Sequence, residues 1–174
     1  MAYLLRDPFQ ARWVRFHSLP ESKRYAEGEE EIGIILSRQN AIATDLFGED
    51  RRCFMVQSRR ELEPGEHEVS AYDAPIREFG LSPTFQFLDD DDPEAQSTWT
   101  AHAATFTWKS GAFDSLLRRI ANDEVSYVMW MDEQTGSLFA PYDGGVDVFL
   151  PTTAARDALK ERHSAWLSIH PSGM

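Results

Sequence analysis

Two short turns in the last third of the chain constrain the fold more than any other feature of the sequence. Residues 132–136 (DEQTG) separate the apolar segments 125–131 and 137–140, and residues 142–145 (YDGG) separate the second segment from 146–150. Connections this short join antiparallel strands, because two parallel strands need a crossover of roughly a dozen residues or more. The three segments therefore predict consecutive antiparallel strands.

The helices are predicted by apolar periodicity and by capping residues. Apolar residues recur at helical spacing over 32–47, after the acidic run 29–31 that suits a helix N-terminus. Ser22 is expected to cap this helix and Gly48 to end it. Two shorter helices are predicted, one over residues 111–122 and one that begins after Thr152, a suitable N-cap.

Strand-like segments elsewhere complete a mixed fold. Further strands are predicted at residues 11–19, 53–57, 84–88 and 99–108. Residues 58–80 contain prolines, glycines and few apolar anchors, so they are expected to form a long irregular connection. We expect a single α+β domain over residues 1–174, with a mostly antiparallel sheet of about five to six strands and about two to three helices packed on it.

The net charge of −12 limits the partners of the chain. It disfavours nucleic acid, whose phosphates are bound by Lys and Arg, and it disfavours an anionic membrane surface. It favours a basic protein partner through electrostatic steering. The residues expected to form an acidic partner-binding surface are Glu29, Glu30, Asp89, Asp90, Asp91 and Asp92.

The compartment is predicted from what the sequence lacks. No basic leader followed by a long apolar stretch opens the chain, and no apolar run approaches the roughly 20 residues that span a bilayer. The single cysteine, Cys53, cannot form an internal disulfide, which is typical of a reducing compartment. A cytoplasmic location is therefore expected.

The sequence contains no recognisable catalytic or cofactor motif. Its histidines lack the zinc-protease spacing, and there is no Gly-x-Ser-x-Gly elbow, phosphate loop or dinucleotide fingerprint. The acidic run 89–92 offers carboxylates to a cation, but consecutive aspartates on an extended chain point in different directions, so a solvated loop is favoured. Cys53 is expected to be a buried apolar residue. We therefore expect no cofactor, no metal and no catalytic residue.

The most distinctive local feature is the segment YDGGVD, which begins at Tyr142. Its two glycines permit positive φ and a tight reversal, and Asp143 can accept hydrogen bonds from amides of the turn. Tyr142, Asp143 and Asp147 would then bracket a hairpin tip, where Arg15 and His17 are expected to join them. The two interpretations of this segment are a polar binding site and a well-formed turn.

Several of these segments resemble one known family. Residues 138–148 (LFAPYDGGVDV) and the later residues Leu159, His163, Trp166 and Leu167 are similar to the C-terminal half of an uncharacterised bacterial family, the domain of unknown function numbered 3885. Residues 13–16 (WVRF) and 25–47 resemble its N-terminal half, so the resemblance covers most of the chain. The family often has Asp-Arg-Gly after the Tyr-Asp pair, where this chain has Gly144-Gly145, and usually Tyr in place of His163. The resemblance implies no activity, because the family has none established.

Three functional hypotheses follow from these features. The first is a non-catalytic protein-binding domain, of an immunity or regulatory type, that captures a basic protein. The alternative is a small-ligand-binding protein or hydrolytic enzyme with a polar site near the Tyr142–Asp147 hairpin. The third is a structural homo-oligomer in which two copies meet through the aromatic strand 99–108, although burial in the core explains these aromatic residues equally well.

Overall fold

The computed structural model describes residues 2–62, 74–89 and 96–167. The strands of this part of the chain are β1 (Trp13–His17), β2 (Arg51–Arg60), β3 (Ser82–Asp89), β4 (Ser97–Trp108), β5 (Val128–Asp132), β6 (Leu138–Tyr142) and β7 (Gly145–Phe149). Its α-helices are α1 (Arg6–Phe9), α2 (Glu29–Phe47), α3 (Ala74–Glu78), α4 (Asp114–Ala121) and α5 (Thr153–Arg162). The strands form one sheet in the order β1-β7-β6-β5-β2-β4-β3, and each neighbouring pair is antiparallel. None of the helices in the described residues combines the length and the apolar character needed to cross a membrane.

The expected α+β class and antiparallel pairing are confirmed, but the expected numbers of elements are too low. The described residues contain seven strands and five α-helices, where we expected five to six strands and two to three helices. Each of the seven strands overlaps a segment predicted as a strand, so only the expected total was too low. Helices α1 and α3 have only 4 and 5 residues, and a single helical turn leaves no apolar period to detect in a sequence. β2 also continues through residues 58–60, which we expected in the long connection. Residues 63–73 of that connection lie outside the described residues.

The capping signals agree with the structure at two helix ends and disagree at a third. Gly48 ends α2 with a φ of +86°, and the Thr152 hydroxyl accepts a hydrogen bond from the Ala155 amide at 3.1 Å. Ser22 does not cap α2, because that helix begins at Glu29. The φ of Ser22 is +58°, whereas an N-cap residue needs an extended backbone.

One face of the sheet packs against α2, α4 and α5. Side chains of a strand alternate between the two faces, and those that face the helices form a continuous apolar core. In β4 and β5 this core includes Trp108 and Trp130, and both rings contact Phe113 before α4. Trp108 is fully buried and Trp99 is 8% exposed. The two tryptophans lie on opposite faces of the sheet, Trp108 in the core and Trp99 on the second face. Burial therefore accounts for both rings, and β4 is an interior strand.

The opposite face of the sheet carries polar side chains near β1 and β7. Trp13 and Arg15 alternate with buried apolar residues on β1, and Asp147 alternates with them on β7. Residues 2–12, which form two short 3-10 turns and α1, attach to this face. Tyr3 donates a hydrogen bond to Asp89 of β3, and Arg6 binds Asp147 of β7. The N-terminal segment therefore connects strands that are distant in the sheet.

Candidate functional site

Asp147 is the centre of a buried ion-pair cluster on this second face. Its side chain is 2% exposed and accepts five hydrogen bonds. Arg15, directly opposite on β1, donates two of them at 2.8 and 3.0 Å. Arg6 donates two at 3.0 and 2.8 Å, and the Trp13 indole donates one at 3.0 Å. Because donors fill the acceptor sites of this carboxylate, Asp147 fixes the positions of two guanidinium groups and offers no base to a substrate.

Arg15 joins this cluster to Tyr142. Its guanidinium lies over the Tyr142 ring, 4.9 Å from the ring centroid, and 5.5 Å from the centroid of Trp13. These distances are typical of cation–π contacts. Burial raises the pKa of Tyr142 to about 12, although the nearby Arg15 charge acts in the opposite direction. Tyr142 therefore keeps its proton at neutral pH and can donate a hydrogen bond.

Asp143, in the turn between β6 and β7, has a different arginine partner. Arg24 donates to it from Nε at 2.6 Å and from a terminal nitrogen at 3.2 Å, and the Gly144 amide donates at 3.0 Å. The expected hydrogen bond from a turn amide to Asp143 is thus confirmed. The expected positive φ is wrong, since neither Gly144 nor Gly145 has one. A Cβ at Gly145 would lie 2.2 Å from the Phe16 carbonyl oxygen, so the close approach of β1 is what requires glycine here.

His17 lies on the same strand as Arg15 but takes no part in the hydrogen bonds of the cluster. Its Nε2 is buried, and no group in the described residues bonds to that nitrogen. Burial, together with the positive charges of Arg15 and Arg38, lowers the pKa of His17. The imidazole is therefore neutral at neutral pH. His17 lies on the same strand as Arg15 but is not among the residues that line the cavity described below.

A cavity of about 890 Å³ adjoins the cluster on the second face of the sheet. Its floor includes Ser58 of β2, Met129 of β5 and Ala140 of β6, which the antiparallel register places on one face. The volume lies in the range of small-molecule sites, roughly 300–1,000 Å³. The charged residues that line the cavity are Arg6, Arg24, Arg59, Arg60, Asp123, Asp143 and Asp147. Arginines therefore outnumber carboxylates on its walls.

The segment that follows α4 forms an aromatic rim of the cavity. Asp123 and Tyr127 both line it and have left-handed backbones, with φ values of +57° and +59°. This conformation costs a residue with a side chain about 1–2 kcal/mol. Asp123 follows the C-cap of α4, where such a residue is common. Tyr127 packs edge-on against Trp99, with 4.9 Å between ring centroids, while remaining 44% exposed. The strained backbone thus coincides with an exposed ring at the cavity.

The acidic residues expected to bind a basic protein lie on different elements. Glu29 and Glu30 are exposed in the first turn of α2, and Glu29 pairs with Arg118 of α4 at 2.7 Å. Asp89 ends β3 and accepts the Tyr3 hydroxyl. Asp90, Asp91 and Asp92 lie outside the described residues. The acidic binding surface stays a prediction, and two of its three described residues have partners within the chain.

The structure brings together part of the polar site and adds residues that the sequence did not indicate. Tyr142, Asp143 and Asp147 line the same cavity. Arg6 and Arg24, which bind the two carboxylates, are separated from them by 141 and 119 residues. No periodicity or motif connects such distant positions. A buried carboxylate requires a cation or several hydrogen-bond donors as partners. This requirement predicts that such partners exist, but it does not identify Arg6 or Arg24.

Comparison with known proteins gives a single assignment. No curated protein and no solved structure matches the chain. The model of one family, described as "Domain of unknown function (DUF3885)", matches residues 1–171. This span contains the ion-pair cluster, the turn between β6 and β7 and every described residue of the cavity. The chain therefore belongs to the DUF3885 family.

Proposed function

We propose that the protein binds a small acidic molecule in the 890 Å³ cavity and does not catalyse a reaction on it. The observation that carries this proposal is the composition of the cavity walls, which include four arginines and an aromatic rim. A concave site with a few convergent polar groups on mainly apolar walls is the usual form of a small-molecule site.

The arginines support an acidic ligand. Arg6, Arg24, Arg59 and Arg60 line one cavity in a chain whose net charge is −12. A guanidinium group presents a planar fork of donors that matches a carboxylate or phosphate. Asp147 and Asp143 each hold one of these arginines by two hydrogen bonds. Guanidinium groups already held in place lose less conformational entropy when a ligand binds.

The remaining walls suit the apolar part of such a ligand. Trp99 and Tyr127 supply aromatic surface, and Val125 and Met129 supply aliphatic surface. Tyr127 is the most exposed of these four residues. A planar ring on the ligand would pack against the aromatic rim, with its acidic group directed toward the arginines.

The chemistry of the polar groups supports binding over hydrolysis. Asp147 has no acceptor site left for a substrate proton, and Asp143 is bonded to Arg24 and to the Gly144 amide. Tyr142 has a pKa of about 12, far above the range in which a general base acts at neutral pH. Tyr142 can therefore donate a hydrogen bond to a ligand without losing its proton, while Asp147 and Asp143 hold the arginines.

Thermal unfolding with a panel of acidic metabolites tests the proposal. The panel contains nucleoside monophosphates, sugar phosphates, dicarboxylates and aromatic carboxylates, so that acidic groups are compared with and without a ring. A ligand present at 100 times its Kd stabilises the native state by about 2.7 kcal/mol. For a chain of this size that raises Tm by roughly 5–11 °C. Titration calorimetry then gives the Kd of each ligand that raises Tm.

Two variants test whether the ligand binds in the cavity. Arg60→Met removes a charge from the cavity wall, and a lost hydrogen bond to a charged group should weaken binding by about 10- to 150-fold. Ala140→Leu fills the floor and should also weaken binding. Arg52→Met is the matched control, because Arg52 is on the same strand, has a side chain that is 66% exposed and pairs with Glu133. Absence of any binding in the panel, or wild-type affinity in both cavity variants, would refute the proposal.

A further inference from the structure

The outer edge of β3 is unlike the rest of the protein surface. β3 ends the sheet among the described residues, with β4 as its strand neighbour. Its sequence, SPTFQFLD, contains one charged residue, Asp89, whereas 26% of the whole chain is charged. Phe85 and Leu88 are each 61% exposed. Edge strands of soluble proteins are usually protected by charges or by covering segments, and an apolar exposed edge favours pairing with another strand.

The opposite edge of the sheet, β1, is protected by a charged residue and by a covering segment. β1 carries Arg15, and Phe16 forms a β-bridge with Leu167 from the end of the described chain. On β3 the register irregularity falls between Pro83 and Phe85, so the bulge is confined to the start of the strand. The backbone from Phe85 onward keeps a regular register with β4. This part of β3 is therefore suitable for pairing on its outer side.

We propose that two copies of the chain pair antiparallel through β3, around a two-fold axis at Gln86, so that the sheet continues from one copy into the other. The charge distribution favours a second copy as the occupant. Two chains of net charge −12 repel each other over most of their surfaces, and residues 82–88 of β3, which carry no charge, are where they can meet. A basic partner would gain no electrostatic attraction from residues 82–88.

The proposed register follows from the residues of β3. With Gln86 on the axis, Phe85 of each copy lies opposite Phe87 of the other, and aromatic cross-strand pairs stabilise sheets. Phe85 and Phe87 already lie 6.0 Å apart within one chain, so pairing would gather four rings. Asp89 would lie opposite Pro83, far from its own copy, and proline lacks the amide that further pairing needs. The dimer is self-complementary, as a two-fold interface requires.

Sedimentation velocity over a concentration series tests the dimer. The wild-type chain should show a monomer–dimer equilibrium, and Phe85→Lys should raise the dimer Kd by at least about tenfold. This substitution reduces the net negative charge, so weaker association cannot come from greater repulsion between chains. Phe9→Lys is the control, because Phe9 is an exposed aromatic residue on α1 and makes the same change in charge. A wild-type chain that stays monomeric to its highest soluble concentration, or a dimer insensitive to Phe85→Lys, would overturn the proposal.

A cysteine pair tests the register independently. Gln86→Cys places two thiols on the axis, where opposite Cα atoms of an antiparallel pair are about 4.5–5.5 Å apart, within disulfide range. Leu88→Cys places them four residues out of register, about 14 Å apart. Mild oxidation should therefore cross-link the first variant and not the second, while buried Cys53 is common to both. Equal cross-linking of the two variants would refute pairing at Gln86. Neither experiment depends on the cavity or on its ligand.

Discussion

Replacing Asp147 by asparagine tests the interpretation of the buried cluster, because the two side chains have the same shape and differ in charge. The substitution leaves the guanidinium groups of Arg6 and Arg15 without their counter-ion, and it directs amide hydrogens at donors that now bond to the carboxylate. Removal of one partner from a buried ion pair costs about 3–5 kcal/mol. For a chain of this size, that loss lowers Tm by roughly 6–20 °C.

Urea unfolding followed by tryptophan fluorescence and by circular dichroism measures this loss. The unfolding midpoint of Asp147→Asn should fall while the m-value stays constant, since the surface exposed on unfolding is unchanged. Asp157→Asn is the control, because Asp157 pairs with Arg156 but its side chain is 62% exposed. Such surface pairs contribute about 0–1 kcal/mol. Adding Arg15→Met to Asp147→Asn should restore part of the lost stability, because it removes the uncompensated charge. A cost below about 1 kcal/mol for Asp147→Asn, or a cost equal to that of the control, would show that the cluster does not depend on this charge.

Three further predictions follow from local geometry and from pKa shifts. Gly145→Ala should destabilise the fold, because the new Cβ would lie 2.2 Å from a carbonyl oxygen of β1. Gly33→Ala, inside α2 and with no neighbour within 4 Å of the new Cβ, should instead stabilise it by up to about 1 kcal/mol; urea midpoints in the reverse order would contradict the assignment. Burial opposes ionisation of Asp132, but hydrogen bonds from Arg51 and two turn amides outweigh it and lower the pKa from 3.8 to about 2. The resulting contribution to the free energy of unfolding, about 2 kcal/mol, is fully present above the ordinary pKa and is lost as the pH falls through the folded-state value. The stability difference between wild type and Asp132→Asn should therefore shrink below pH 3.8. A difference that does not change with pH would contradict this. Burial also raises the pKa of Cys53 to about 11, so a thiolate-specific reagent should modify this residue at neutral pH only after unfolding, and rapid reaction of the native protein would show that the thiol is accessible.

The elements that could be predicted are those whose signal lies within a few neighbouring residues. The stripe over residues 32–47 places α2 because a helix repeats every 3.6 residues, and Gly48 ends it through its positive φ. The turns at 132–136 and 142–145 establish the antiparallel pairing of β5, β6 and β7 because short connections allow no other arrangement. The short helices α1 and α3 escaped detection because so few residues carry no periodicity.

The candidate site was predicted only in part, for a related reason. Asp143, Asp147 and Tyr142 are close in sequence, so one turn brings them to the same end of the hairpin. Arg15 joins them because β1 pairs with β7. We expected Arg15 beside the hairpin tip, but no strand pairing that places it there was predicted from the sequence. Arg6 and Arg24 come from segments without any pattern that points to a carboxylate more than a hundred residues away. The cavity extends across β2 and β5, which are neighbours in the sheet but far apart in the chain.

The sequence by itself determined the fold class, the long helix, the antiparallel turns and the net charge, since each of these depends on composition or on local hydrogen bonding and periodicity. Only the tertiary structure decided that Asp147 is buried among two arginines, that Gly145 is required by the approach of another strand, and that Trp108 lies in the core while Trp99 lines the cavity on the other face. These features depend on which strands become neighbours. The strand order is determined by how the whole sheet packs against its helices. The free energy of that packing is distributed over many segments, so the sequence of one segment does not reveal the order.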